Sequence, residues 1–292
     1  MPTRRATLIG ALALSACGAS TMGASSEETA AEPALAAIEA RLGGARLGVA
    51  VLDTGGGQWL ANRPRERFAM CSTFKLPLVA NVLWNSTHAG AQLRDSVRFS
   101  RKDLLDYAPV TRAHVGEGSL TVEQLCEAAI TLSDNTAANL LLGSVMGPEG
   151  LTNFLRAHGD SVTRLDRTEP TLNENAPGDE RDTTTPEAMV RTMREMLLGD
   201  TLTPALREKL IGWMVACQTG QERLRAGLPA DWRVGDKTGT GANGAHNDIA
   251  IALPPGRAPI LIASYISDGS ANDDARDAAH ADVAHVVARA FS

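Results

Sequence analysis

The stretch MCSTFKLPLV, residues 70–79, marks the point where this chain changes character. Ahead of it the apolar residues alternate. Leu47, Val49 and Val51 outline a strand, DTGGGQ (53–58) turns the chain, and WLANRP (59–64) begins a return strand. From Ser72 to about Val215 the period switches. Apolar side chains now recur every third or fourth residue, with many alanines and leucines. β-rich sequence returns in WRVGDKTG (232–239), NDIAIAL (247–253) and PILIASYIS (259–267), the last two joined by a turn at Pro254-Pro255-Gly256. A closing helical stripe, Val283, Val286, Val287 and Phe291, lies within residues 273–291. Another helix, opened by Pro33 and carrying Leu35, Ile38 and Leu42 on one face, ends at Gly43-Gly44. The pattern predicts an α/β fold. Both chain ends (33–66 and 216–292) build a five-stranded antiparallel sheet flanked by helices, and an all-helical domain (67–215) is inserted between them.

The bulk numbers agree with a globular chain of this kind. It has 292 residues, 43% of them hydrophobic, which is enough for one large or two modest domains. The net charge of −6 and the lack of a basic run exclude a nucleic-acid partner. Arg4 and Arg5 precede a short apolar stretch, Leu8 to Ala16, so residues 1–16 read as a signal peptide of an exported protein. The arginine pair in TRRATLIG resembles a twin-arginine export signal. LSAC (14–17) resembles the lipobox of bacterial lipoproteins, which implies a lipid anchor on Cys17 and a periplasmic location; a simple cleaved signal is the alternative. Residues 17–32, small, polar and acidic, read as a flexible tether. Cys71, Cys126 and Cys217 match no zinc spacing, and the six histidines form no HxxxH pair, so neither metal nor cofactor is expected. Cys126, in the apolar LCEAAITL (125–132), reads as a buried thiol.

The opening stretch also poses a chemical question, because Lys75 starts an apolar run and is costly there. Ser72 and Lys75 are one helical turn apart, on one face. A serine at a helix start lies near free N–H groups and the positive end of the helix dipole, which suits a nucleophile whose attack creates an oxyanion. A neutral lysine beside it accepts the hydroxyl proton. Each part also has a plain reading, a capping serine and a surface lysine. Two further tripeptides add to it. Ser133-Asp134-Asn135 offers a second hydroxyl and an amide for a substrate carbonyl. Lys237-Thr238-Gly239, at a strand end, offers a cation and a hydroxyl for a substrate carboxylate, with a glycine that admits close approach.

SxxK, SDN and KTG in this order resemble the class A serine β-lactamases, from about residue 33 to the end. The segment RLDRTEPTLNENAPGDERDTTTP (164–186) resembles their omega loop (164–182). Without the family it is an acidic loop unusually long for a compact domain. The resemblance implies that Ser72, Lys75, Ser133 and Glu169 are catalytic. Glu169 activates the hydrolytic water, Asn173 helps hold it, Arg167 and Asp182 tie the loop ends, and Glu169-Pro170 is cis. It also implies a substrate site formed by Tyr107, Asn135, Asn173, Arg223, Lys237, Thr238, Gly239 and Thr240. There Tyr107 is a wall, the Thr240 N–H joins that of Ser72 in the oxyanion hole, and Arg223 meets the substrate carboxylate. His246 stands where many members have an arginine, and Thr168 where many have an aromatic. Cys71 matches a cysteine that carbapenem-hydrolysing members pair with one at the place of Gly241, so that disulfide is excluded here. The implied activity is hydrolysis of penicillins and cephalosporins by a monomer. The alternatives are a D,D-peptidase or penicillin-binding protein that is acylated without turnover, and a non-catalytic binding lipoprotein.

Overall fold

A computed structural model describes residues 26–90 and 92–291. The expected signal peptide, Cys17 and the first part of the tether lie outside the described residues. Helix α1 (Ser26–Ala40) leads into β1 (Arg46–Asp53), β2 (Trp59–Asn62) and the short β3 (Phe68–Ala69). A 3-10 turn, Cys71–Phe74, runs straight into α2 (Lys75–His88). Then come β4 (Ser96–Arg98), α3 (Pro109–Ala113), β5 (Ser119–Thr121), α4 (Val122–Thr131), α5 (Asn135–Ser144) and α6 (Gly147–Ala157). After the long loop follow β6 (Thr183–Thr184), α7 (Pro186–Leu198), α8 (Pro204–Val215) and the short α9 (Leu224–Gly227). The chain closes with β7 (Arg233–Thr240), β8 (His246–Leu253), β9 (Ile260–Ser267) and α10 (Asp273–Phe291).

Five strands form one antiparallel sheet in the order β2-β1-β9-β8-β7. Its central strands are buried on both faces, and the alternation along them feeds two cores. Leu47, Val49 and Val51 of β1, with Ile260, Ile262 and Ile266 of β9, pack against α1 and α10. Ala50, Leu52, Ile249, Ile251, Leu261, Ala263 and Tyr265 face the helical layer. That alternation aims the site lysine. Lys237 lies directly across the ladder from Ile249, so it points to the helical side with it. At the centre of that side is α2, whose residues Lys75 to Leu83 are all buried, as expected of a helix packed on every face. Among the described residues no helix is long and apolar enough to cross a membrane.

Three details depart from the sequence reading. Helix α1 begins at Ser26, so part of the expected tether is helical and Pro33 lies inside the helix rather than at its start. The Glu- and Ala-rich run ahead of Pro33 favours helix and accounts for the earlier start. Ser72 sits in the 3-10 turn before α2, not in the first α-helical turn. The helical stretch also holds two small ladders, β4 with β5 and β3 with β6. The second pairs Phe68–Ala69 with Thr183–Thr184 and so ties the exit of the long loop to the entry of the Ser72 turn.

Candidate active site

Ser72 projects from a turn that starts in a strained conformation, since Cys71 has φ +46°. Its Oγ accepts a hydrogen bond from Lys75 Nζ at 2.8 Å and lies 3.2 Å from Glu169 Oε1. Lys75 Nζ is also 3.0 Å from Glu169 Oε1, with both side chains fully buried. The same amine donates to the Ser133 carbonyl at 2.9 Å and to Asn135 Oδ1 at 2.6 Å, and reaches Ser133 Oγ at 3.3 Å. Ser133 is itself in the left-handed region, φ +56°, in the link between α4 and α5. From there its hydroxyl accepts from Lys237 Nζ at 3.0 Å. Two lysines therefore meet one hydroxyl. Burial pushes the Lys75 amine below the usual lysine range, against the pull of the Glu169 carboxylate. Burial, with repulsion from Lys75, brings Lys237 down to about 8. Each lysine is thereby placed to lose its charge more readily than a free amine.

Glu169 is carried by the long loop, and its bond to Pro170 is cis. Asn173 Nδ2 donates to Glu169 Oε2 at 2.5 Å, and the Asn173 Oδ1 is buried with no protein partner, a free acceptor beside the carboxylate. Arg167 and Asp182 join at 2.5 Å, and Asp182 Oδ1 also accepts the N–H groups of Asp166 and Arg167 at 2.7 and 2.9 Å. The carboxylate of Asp182 is fully buried, so this pair crosslinks the two ends of the loop in a low-dielectric setting.

The end of β7 forms the opposite wall. A Cβ added at Gly239 would stand 2.7 Å from the Met70 carbonyl and 3.1 Å from Ser72 N. Only glycine lets the strand lie this close to the Ser72 turn. Thr238 Oγ1 bonds Thr219 Oγ1 at 2.6 Å, and Thr240 stays exposed. Arg223 reaches this strand end, donating from Nη1 to the Gly239 carbonyl at 3.2 Å and from Nη2 to Thr240 Oγ1 at 2.9 Å. Tyr107 is half exposed at 49%, and its carbonyl accepts the Asn135 N–H at 3.1 Å. Cys71, Cys126 and Cys217 are buried free thiols, and burial raises all three. A Cβ at Gly241 would lie 2.7 Å from Cys71 Sγ, so the two positions adjoin, but glycine leaves the thiol unpaired.

The residues read from the sequence as catalytic or substrate-binding gather around the Ser72 turn, the end of β7 and the loop that carries Glu169. Two supporting residues, Asn139 and Asp277, were missed, and Asp134 was named only as part of its tripeptide, without a role. Asn139, one turn past Asn135 on α5, brackets the Glu169 peptide: its Oδ1 accepts the Glu169 N–H at 3.0 Å and its Nδ2 donates to the Glu169 carbonyl at 2.9 Å. An asparagine inside the apolar run NTAANLLL was the available signal. Asp134 is buried and caps α5 through the Ala137 N–H at 2.9 Å while holding Thr111 Oγ1 at 3.0 Å. Asp277 on α10 accepts Arg223 Nε at 3.0 Å. In chemical terms, a hydroxyl stands between an amine and a carboxylate, with a second hydroxyl between two amines, at the mouth of a cationic strand end.

A family model described as the Beta-lactamase enzyme family matches residues 30–291. Beta-lactamase AST-1 of Nocardia asteroides is 46% identical over 261 residues, covering 89% of this chain and 84% of that one. A beta-lactamase of Amycolatopsis lactamdurans is 48% identical over 247 residues, 85% of this chain and 81% of the other. Among solved structures, an ancestral (GNCA) class A beta-lactamase aligns with TM-score 0.88 at 58% identity, covering 89% of this chain and all of that one (100%).

Proposed function

The chain belongs to the class A β-lactamase family, and on that premise we propose that it hydrolyses penicillins and cephalosporins through an acyl-enzyme on Ser72. Hydrolysis of the β-lactam amide, and with it resistance to these antibiotics, is the activity of the family. The observation that carries the assignment of roles is the contact of Ser72 Oγ with both Lys75 Nζ, at 2.8 Å, and Glu169 Oε1, at 3.2 Å.

Ser72 attacks the lactam carbonyl as its proton leaves. Lys75 in its neutral form and Glu169 through a water are two routes for that proton, and both groups are within reach. The N–H groups of Ser72 and Thr240 receive the developing oxyanion, where one donor is worth about 3–4 kcal/mol in comparable sites. Ser133, between Lys75 and Lys237, hands a proton to the departing nitrogen. Lys237, Thr238 and Arg223 hold the ring carboxylate. Asn135 takes the substrate amide, with Tyr107 as the wall. Glu169, with the unpartnered Asn173 Oδ1 beside it, then directs a water at the ester. This second step separates a hydrolase from a peptidase that remains acylated.

The same reading covers export through residues 1–16, a periplasmic location with Cys17 as lipid anchor, and a monomer. It divides the chain into 33–66 with 216–292 as one domain and 67–215 as the other. In a steady-state assay with a chromogenic cephalosporin the purified protein turns over many times per Ser72; a single burst would assign it to the peptidases. Glu169→Ala accumulates a covalent penicilloyl adduct on Ser72 in intact-mass spectra, and bare protein after penicillin would remove Glu169 from the role of deacylation base.

A further inference from the structure

The peptides just ahead of Ser72 are held from behind by a side chain that the steps above do not use. Asn247, on β8, is fully buried. In the ladder it lies between Gly239 of β7 and Tyr265 of β9, so its backbone is fixed on both sides. Its Nδ2 donates to the Ala69 carbonyl at 2.9 Å and to the Met70 carbonyl at 3.1 Å. Both partners are acceptors, so the NH2 end of the amide must face them, one hydrogen to each. Oδ1 is left buried with no partner among the described residues. A buried acceptor without a partner is unfavourable, so it is the pair of donations that makes an asparagine fit here.

The two carbonyls stand at the entry to a turn that is costly to form. Cys71 takes φ +46°, in the left-handed region that disfavours a side chain, and Met70 supplies no side-chain cap to the 3-10 turn. Beyond Cys71, Thr73 donates to the Met70 carbonyl from Oγ1 at 2.8 Å and from its N–H at 3.2 Å. Thr73 belongs to the turn and moves with it, whereas Asn247 ties the turn to the sheet. We propose that Asn247 is a positioning residue for the oxyanion hole: by fixing the Ala69 and Met70 carbonyls to β8, it sets where the Ser72 N–H points relative to the Thr240 N–H. The second donor is referenced to the same residue, because Asn247 is the ladder partner of Gly239, which directly precedes Thr240. One residue of β8 therefore registers both donors. Their spacing matters most as negative charge develops on the carbonyl oxygen, so Asn247 acts on the transition state more than on bound substrate.

The inference rests on the acyl-enzyme reading above, and its test keeps the two apart. Single-turnover kinetics of the full mature enzyme with a chromogenic cephalosporin separate substrate binding from the acylation rate. Asn247→Ala slows acylation roughly 10- to 100-fold, less than the loss of about 10²–10³-fold when an oxyanion donor is deleted outright, and leaves the substrate dissociation constant within about 2-fold. Deacylation slows by a similar factor, because its tetrahedral intermediate uses the same hole, so no burst develops. Phenylboronic acid adds to Ser72 Oγ as a tetrahedral adduct with an oxygen in the hole, and its affinity falls by a comparable factor. Asn247→Leu, which keeps the volume and removes the donor, gives the same pattern should the alanine variant fold poorly. A lowered unfolding temperature with acylation and boronate affinity unchanged overturns the positioning role. So does a dissociation constant that rises as far as acylation falls. A wild-type enzyme that binds the boronate but turns over no β-lactam refutes the hydrolase reading instead, and the boronate comparison still tests Asn247.

Discussion

Asn139 offers the sharpest test of how the loop delivers its carboxylate. Two hydrogen bonds, at 2.9 and 3.0 Å, fasten the Glu169 peptide to the Asn139 side chain, which makes no hydrogen bond to Ser72 or Lys75. Asn139→Ala removes both. Each such bond contributes about 0.5–1.5 kcal/mol net, so the fastening is worth about 1–3 kcal/mol. At about 1.4 kcal/mol per decade, that slows the step needing Glu169 in place by roughly 5- to 150-fold. The deacylation step depends on Glu169 in the mechanism above, whereas the Ser72–Lys75 contact at 2.8 Å is untouched by the change. Stopped-flow hydrolysis therefore develops a burst of one product equivalent per enzyme followed by a slow steady state, and quenched samples carry an acyl adduct. Thermal unfolding falls modestly, because the loop is fastened elsewhere by Arg167 and Asp182. A variant with wild-type kcat and no burst would refute the reasoning, since Glu169 would then hold its position without the clamp.

The pH dependence follows from Lys237, held at about 8. Its cation is present below that value and lost above it, so kcat/KM for carboxylate-bearing substrates declines as pH rises through about 8, and a flat profile to pH 10 would count against Lys237 as the carboxylate partner. Gly239→Ala forces a methyl group into backbone at 2.7 and 3.1 Å, so the strand end must withdraw from the Ser72 turn. The expected fall in kcat/KM is on the order of 100-fold, and near-wild-type kinetics would show that close approach is not needed. Arg167→Ala strands the fully buried Asp182 carboxylate and costs about 3–5 kcal/mol in denaturant unfolding, with faster proteolysis within 164–182; a loss under about 1 kcal/mol would place the loop's anchorage elsewhere.

Much of this site was legible in the chain itself. The switch from alternation to a three-and-four repeat at residues 70–79 separates the sheet from the helical layer, because burial on one face of a strand or helix imposes its own period. Ser72 and Lys75 adjoin for the same reason, being one turn apart. Lys237, Ser133 and Glu169 entered through motif resemblance, since no local rule links residues so far apart in the chain. The meeting of Lys237 with Ser133 at 3.0 Å, and of Glu169 with Lys75 at 3.0 Å, is a product of packing: Lys237 is aimed by its place opposite Ile249 in the ladder.

What escaped the sequence is polar and long-range. Nothing in NTAANLLL says that Asn139 receives the peptide of a residue thirty positions on, and nothing around Asp277 names Arg223. The start of α1 and the 3-10 turn under Ser72 were misjudged because helix ends depend on capping and on contacts beyond the local window. Apolar burial is non-directional and writes itself into the sequence as a period. A hydrogen bond needs one particular atom within about 3 Å, and only the assembled tertiary structure decides which atom that is.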